Sequence, residues 1–530
     1  MNPIFTTEGP IITDDHYHID PLHRLDWEDV QFLIQVKKYF VLHAPRQTGK
    51  TSTLLSMMDT LNQQGDYHVL YANIEAAQAA RNDVNEGISG LCETIAHRAR
   101  IHLNTKILIE WLEQKGRDIS PKDRLTQLLN YWSESSDKPC VLFLDEVDAL
   151  VGDTLISVLR QIRAGYDQRP AAFPQSIVLC GVRDIRDYRI HSGGDVITGG
   201  SAFNIKAKSL RMGSFSQTDI QTLYQQHTQA TGQAFCSQIF EPLWLDTQGQ
   251  PWLVNALAHE MTWESKENRD RSKTIELEDY RAARERLIYA RSTHLDQLSD
   301  KLKEPRVHAV IAPMLAGEVQ YQMNPDDVEY VVDLGLINRA RNGALTIANR
   351  IYQEIIPREL SWGSQMVIEQ QQVWYIDENN HLNMAKLLSA FQQFFRENSQ
   401  SWLERFDYKE AGPQLLMQAF LQRIVNGGGR INREYALGNT RTDIIVEWPT
   451  TDKGFYGHVQ RIVVELKILY GALDTEITKG LEQVAAYADK LAASEAHLMI
   501  FNRDVGIDWD DKIFQRQGDF KGRDIGVWGC

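Results

Sequence analysis

The sequence predicts an α/β protein in two parts: a parallel-sheet core toward the N-terminus and a smaller strand-and-helix domain toward the C-terminus. Three observations carry this expectation. "APRQTGKT" (44–51) sits between an apolar strand pattern and a helical one. "PCVLFLDEVDAL" (139–150) is an apolar strand that ends in Asp145 and Glu146. "QRIVVELKILYG" (460–471) is a strand that carries Glu465 and Lys467 two residues apart.

The first element is a phosphate-binding loop by pattern. "KKYFVLHA" (37–44) has the apolar run of a buried strand, and "TSTLLSMMDTLNQQG" (51–65) repeats apolar residues at helical spacing and stops at Gly65. Strand, glycine-containing loop and helix N-terminus together form the context in which backbone N–H groups wrap phosphates. Ala44, Pro45, Arg46, Gln47, Thr48 and Gly49 form the loop, with Ala44 where the usual pattern has its first glycine. Alanine is tolerated there if φ is negative, and Gly49 leaves no side chain where backbone meets phosphate. Lys50 is expected to neutralise the β and γ oxygens, and the Thr51 hydroxyl to ligate Mg²⁺.

The acid-tipped strand supplies the complement. Asp145, at the C-terminal edge of a parallel strand, is assigned to the metal's water shell and Glu146 to polarising the attacking water. "YHVLYANIE" (67–75) and "QSIVLCGVRD" (175–184) read as further strands of the same sheet, with a helix over 154–170. Arg183 or Asp184, at the end of the later strand, is the candidate γ-phosphate sensor. Arg160 and Arg163, one turn apart, are either arginine fingers or a solvated helix face, and the second reading is favoured. Residues 215–262 read as helices.

Composition limits the rest. Hydrophobic residues make up 43% of the chain, enough for ordinary cores, and two to four domains are expected at this length. No apolar run approaches the roughly 18 residues of a membrane span, and the N-terminus lacks the pattern of a signal peptide. Cys92, Cys140, Cys180, Cys236 and Cys530 are scattered without a CxxC pair, which suits a reducing cytoplasm and argues against a disulfide framework or zinc ribbon. The net charge of −15 argues against passive nucleic-acid binding along a basic face.

Residues 1–270 resemble the AAA-like ATPases of the broad AAA/STAND group. "HAPRQTGKTS", "VLFLDEVDAL", "VLCGVRDIRDY" and "TQGQPWLVNALA" carry the resemblance. It implies an ATP-binding P-loop α/β core of the ASCE kind followed by a helical lid. Gly249-Gln250-Pro251-Trp252 matches the motif that opens a lid helix near the nucleotide, and "DDHYHIDPLHRL" resembles the lead-in segment near the base. The expected boundaries are 1–210 for the core, 211–275 for the lid and 276–362 for a helical, winged-helix-like module. In that module a helix is followed by two short strands around Asn342-Gly343. It is read as a packing element rather than a DNA reader.

The C-terminal domain, 363–530, carries separate chemistry. "AGPQLLMQAFLQRIV" (411–425) reads as a helix, and "RINREYALGNTRTDIIVEW" (430–448) as two strands around Gly438-Asn439, with Asp443 opening the second. Side chains at i and i+2 of a strand share a face, so Glu465 and Lys467 point together, toward Asp443 if the strands are neighbours. Two carboxylates make a hard-oxygen site for Mg²⁺, and lysine steadies the water or the developing charge.

This order resembles the PD-(D/E)XK nucleases, on "TRTD" ending at Asp443 and "VVELK" carrying Glu465 and Lys467. Gln483 and Tyr487, one helical turn apart, match the Gln-xxx-Tyr motif of the RecB-like branch, where the helix supports the site and contacts DNA. Glu410 is the candidate for an additional acid. Residues 363–530 hold 18 Lys+Arg and 23 Asp+Glu, a balance of −5, so Arg430, Arg433 and Arg441 are the local candidates for phosphate contact.

The whole chain resembles bacterial proteins that fuse such an ATPase to such a nuclease, with roles in defence against foreign DNA or in mobile-element biology. The expectation is a cytoplasmic, homo-oligomeric, ATP-regulated and Mg²⁺-dependent nuclease acting on nucleic acid, DNA by preference, without a membrane partner. A scaffold or signalling ATPase whose nuclease-like part binds without cutting, and a motor that feeds DNA to the nuclease, are the alternatives.

Overall fold

The computed structural model describes residues 3–183, 189–192, 195–198, 204–289, 300–302, 304–316, 323–340, 343–356, 375–405, 417, 420–421, 429–432, 444–451, 455, 457–502, 504 and 506–530. The chain divides into two compact units. Unit 1 is Met1–His294 with Val328–Asn349, and unit 2 is Leu295–Asp327 with Arg350–Cys530.

Unit 1 is built on a five-stranded parallel sheet. Its strands are β1 (Tyr39–His43), β2 (His68–Asn73), β3 (Cys140–Asp145), β4 (Ser176–Gly181) and β7 (Lys206–Arg211), in the order β2-β3-β4-β1-β7. A short antiparallel hairpin, β5 (Arg189–Ser192) and β6 (Asp195–Thr198), lies between β4 and β7 in the chain. The central strands read as continuous apolar runs because helices cover both faces of the sheet. Alternate residues enter opposite cores. Phe40, Leu42, Phe143 and Val178 join α1 (Trp27–Gln35) and α2 (Lys50–Gln64). Tyr39, Val41, Leu142 and Leu179 join α3 (Val84–His102), α5 (Pro121–Glu134) and α6 (Gly152–Ala164), with α4 (Ile107–Gln114) packed outside.

The segment expected to form a lid, 211–275, holds α7 (Gln217–Thr231), α8 (Phe240–Thr247) and α9 (Pro251–His259), and α10 (Leu277–Tyr289) follows it. α7 starts with a capping box in which Ser216 and Asp219 satisfy each other's backbone N–H. A buried network ties α8 to α10: Tyr280 and Arg284 donate to Asp246 Oδ2 at 2.6 and 2.8 Å. The N-terminal segment packs on this lid through Phe5 and Tyr17, which meet the rings of Tyr224 and His227 at centroid distances of 5.5 Å.

Unit 2 holds a mixed six-stranded sheet ordered β10-β11-β12-β13-β15-β14. The strands are β10 (Arg430–Asn432), β11 (Ile444–Pro449), β12 (Val459–Ile468), β13 (Glu495–Phe501), β14 (Phe514–Phe520) and β15 (Arg523–Gly529). β12 pairs antiparallel with β11 and parallel with β13. Ile462, Val464 and Leu466 face a core with Leu387, Leu388 and Phe391 of the helix Met384–Arg405. Val463, Leu498 and Ile500 face Val484, Ala485 and Ala488 of the helix Leu473–Lys490. In unit 1, from Val328 on, the helix Pro325–Asp333 is followed by the antiparallel hairpin β8 (Ile337–Arg339) and β9 (Leu345–Ile347), the helix-plus-hairpin order expected at 326–360.

Among the described residues no helix is long and apolar enough to cross a membrane. All five cysteines are free thiols.

Candidate nucleotide site

β1 delivers the chain into the loop and α2 receives it. Ala44 is fully buried and its N–H donates to the Gly181 carbonyl of β4 at 3.2 Å. Positive φ falls instead on Gln47 (54°) and Gly49 (84°). Gly49 precedes the first residue of α2, and a Cβ there would come within 2.8 Å of Arg24 Nη2. Thr48 Oγ1 donates to the Pro45 carbonyl at 2.7 Å, closing the loop as a tight turn. The Lys50 ammonium donates to the carbonyls of Ala44 and Pro45, both at 3.3 Å, so the loop holds its own cation at its centre. The Arg46 charge acts on Glu146, opposing the effect of burial on that carboxyl.

Thr51 and Asp145 meet as the sequence implies they should. Thr51 Oγ1 donates to Asp145 Oδ2 at 2.7 Å, and Asp145 is fully buried at the end of β3. Tyr71 OH donates to the same oxygen at 3.0 Å, while the Glu146 N–H donates to Oδ1 at 2.9 Å. The buried Cys180 thiol, on the adjacent strand, is a further neighbour of Asp145. Burial, and then the Asp145 charge, raise the Tyr71 phenol, and burial raises the Cys180 thiol well above its usual value. Glu146 takes a left-handed backbone (φ 60°). Burial raises its carboxyl above the ordinary range, with Lys50 pulling the other way.

Arg183 follows β4. Its guanidinium pairs with Asp148 Oδ1 at 3.5 Å and lies 5.3 Å from the Tyr330 ring centre. Asp148 also accepts the Val182 N–H. The segment around Tyr330 belongs to unit 1 and reaches the loop end of the sheet at two more points. Asp333 approaches His43 at 3.4 Å, and Arg211 donates to the Val332 carbonyl at 2.8 Å. Arg160 and Arg163 are both exposed on α6.

Pro251 is the first residue of lid helix α9, and the Gln250 side chain caps it by accepting the Leu253 N–H at 2.6 Å. Gly249 has φ 72°, and a Cβ there would lie 1.9 Å from the Phe215 carbonyl oxygen, so the motif needs glycine for both conformation and space. A pocket of about 730 Å³ opens between the N-terminal residues His23, Arg24 and Leu25 and the lid residues Phe215, Asp219 and Trp244. Arg24 donates to the Thr48 carbonyl and lies 5.4 Å from the Phe215 ring centre. Burial lowers its pKa to about 10.

Three contributors escaped the sequence reading: Tyr71, Arg24 and Asp148. Tyr71 carried a usable signal, because it is a polar-tipped residue in the middle of an apolar strand. Arg24 had only its place in the lead-in segment, and Asp148 only its position three residues after Asp145.

In unit 2, Glu465 is 1% exposed on β12, and Lys467 Nζ pairs with its Oε1 at 2.9 Å. The alternation of β12 puts both side chains on the face that carries Val463, the face covered by the helix Leu473–Lys490. On that helix Gln483 Oε1 and Tyr487 OH are buried and lack a hydrogen-bond partner among the described residues. Ile444, the residue after Asp443, pairs with Val464, the residue before Glu465. Asp443 itself lies outside the described residues, as do Glu410, Asp184, Arg433, Arg441, Asn342, the Gly438-Asn439 turn and most of the 411–425 helix. Arg430 is described, and its guanidinium lies 3.8 Å from the Phe455 ring centre.

Residues 23–356 match the family described as the AAA-like domain. The chain belongs to that family. The match makes unit 1 an AAA-like domain, and the parallel sheet with its loop is the P-loop ATPase core. It also runs past the residues 1–270 that carry the sequence resemblance and takes in the helix and hairpin at 325–347. Solved structures similar to the chain include a Walker-type ATPase of Pyrococcus abyssi, with 16% identity, 66% of this chain and 99% of that chain covered, and a TM-score of 0.45. Cdc6p of Pyrobaculum aerophilum shares 16% identity over 66% and 100%, with a TM-score of 0.36. RuvB of Thermotoga maritima, as its T158V variant, shares 13% over 62% and 95%, with a TM-score of 0.32. No curated protein matches the chain.

Proposed function

We propose that this AAA-like protein binds and hydrolyses ATP in unit 1 and uses the nucleotide cycle to regulate phosphodiester cleavage by unit 2. The observation that carries the first half is the convergence of Thr51 and Asp145, 2.7 Å apart, beside the Lys50 loop. ATP phosphates replace the Ala44 and Pro45 carbonyls as partners of Lys50 and accept from the loop N–H groups. The base enters the pocket between Arg24 and Phe215. Glu146 takes a proton from the attacking water. The Thr51 hydroxyl and the Asp145 carboxylate fit Mg²⁺, since both offer oxygen at the head of α2. Mg²⁺ held there would supply positive charge to offset that of the phosphates.

Support for the second half is the buried Glu465 beside Lys467, under a helix that presents Gln483 and Tyr487. A carboxylate buried to this degree is costly on an apolar strand without a role. In this reading Glu465, with Asp443, holds Mg²⁺, and Lys467 stabilises the water or the developing charge. Nucleic acid, DNA by preference, is the substrate. A homo-oligomeric state and a setting in defence or mobile-element biology rest on the resemblance alone.

The second reading is a signalling or scaffold ATPase. The Lys467–Glu465 pair favours it, because that pair gives Glu465 a cation with no metal needed. Full-length protein with Mg²⁺ and ATP, tested on duplex and single-stranded DNA and on RNA, separates the readings. Cleavage that Lys467→Ala removes supports the nuclease. Absence of cleavage on every substrate, with ATP turnover intact, selects the scaffold.

A further inference from the structure

Tyr71 sits on β2 directly beside Phe143 of β3, 3% exposed, within the apolar layer under α2. Packing alone asks nothing of a hydroxyl there; Phe143 fills the neighbouring position without one. A buried hydroxyl costs free energy unless it is bonded, and the acceptor of this one is Asp145 Oδ2. That oxygen already accepts from Thr51, and Oδ1 accepts from the Glu146 N–H. The torsion that turns a carboxylate about its Cβ–Cγ bond is intrinsically broad. Thr51 is a poor lock for it, since in the proposed reading its hydroxyl would also serve Mg²⁺. The Glu146 N–H belongs to a residue in a left-handed turn at the strand end. Tyr71 donates from β2, an edge strand that pairs with β3 along its whole length, and the Cys180 thiol of β4 is a further neighbour of the same carboxylate.

We propose that Tyr71 is a positioning residue: its hydroxyl fixes the plane of the Asp145 carboxylate and thereby sets the affinity of the nucleotide site for Mg²⁺, not for the nucleotide itself. This rests on the reading of unit 1 as a Mg²⁺-dependent ATPase. Partners that orient a metal-side carboxylate change metal affinity by about 10- to 100-fold when removed.

The test uses the full-length protein, wild type and Tyr71→Phe, with a fluorescent ATP analogue bound first in EDTA and then through a Mg²⁺ titration. ATP hydrolysis at saturating Mg²⁺ is the second readout. The expected result is unchanged affinity in EDTA, a half-saturating Mg²⁺ concentration about tenfold higher, and a kcat at saturating Mg²⁺ within about twofold of wild type. An unchanged Mg²⁺ midpoint overturns the inference. Equal loss of binding in EDTA also overturns it, because the hydroxyl would then be a packing element. A wild type whose nucleotide binding ignores Mg²⁺ overturns the parent reading together with this one.

Discussion

At the residue scale, the site divides into groups that hold charge and groups that hold those groups. Lys50 and Glu146 are of the first kind. Lys50→Ala is expected to abolish ATP turnover and to weaken nucleotide binding, measured by phosphate release and by fluorescent-nucleotide titration. Glu146→Gln is expected to lower kcat by about 10²- to 10⁴-fold, the span of a lost general base, with nucleotide affinity retained. The pH dependence follows from burial. The Glu146 carboxyl is raised above its ordinary range, and only its ionised form accepts a proton. As pH falls through that raised value the base is lost, so hydrolysis declines at a higher pH than the roughly 4.3 of a free glutamate. A kcat profile with no acidic limb above that range removes Glu146 from the role. The placing of Lys50, Thr51, Asp145 and Glu146 around one loop was legible because it is bound to chain order: strand, loop, helix, strand end. Tyr71 and Arg24 were not, since a hydroxyl from β2 and a guanidinium from the N-terminal segment reach the site only through pairing and packing between distant segments.

Elements repeat the lesson with a different physical cause. β1 to β4 were readable because each is apolar enough to be buried on both faces. β7, with the sequence KAKSLR, has no such run; it is half exposed at the sheet edge, and only its pairing with β1 makes it a strand. The hairpin of β14 and β15 and the helix Met384–Arg405 likewise draw their places from a mixed sheet whose order is not the chain order. The helix start at Gly249-Gln250-Pro251 was readable as a motif, and the structure supplies its reason in the closeness of Gly249 to Phe215. Gly249→Ala is therefore expected to cost at least about 1 kcal/mol from the positive φ alone, with further loss from the clash, read as a lowered denaturation midpoint. Removal of the α7 cap by Ser216→Ala is expected to cost about 1 kcal/mol by the same measurement.

On the scale of the whole molecule, the two compact units predict separable chemistry. Lys50→Ala and Lys467→Ala are expected to remove different activities, the second leaving ATP turnover at the wild-type rate. Calorimetry of the full chain is expected to show two transitions, and ATP with Mg²⁺ at about 100 times its Kd to stabilise one of them by about 2.7 kcal/mol. A single transition that moves as a whole would show the units to be thermodynamically one. The family match and the compactness of unit 1 both include the helix and hairpin near 325–347. The sequence sets these elements in a separate module, 276–362, yet Tyr330, Val332 and Asp333 pack back onto Arg183, Arg211 and His43. By itself the sequence determined the P-loop core, because local periodicity and fixed spacing encode a strand, a helix or a phosphate loop. Only the tertiary structure decided which distant side chains steady Asp145 and which segment closes over the end of the sheet. Those choices depend on hydrogen bonds and burial between residues tens to hundreds of positions apart, for which a linear pattern carries no period.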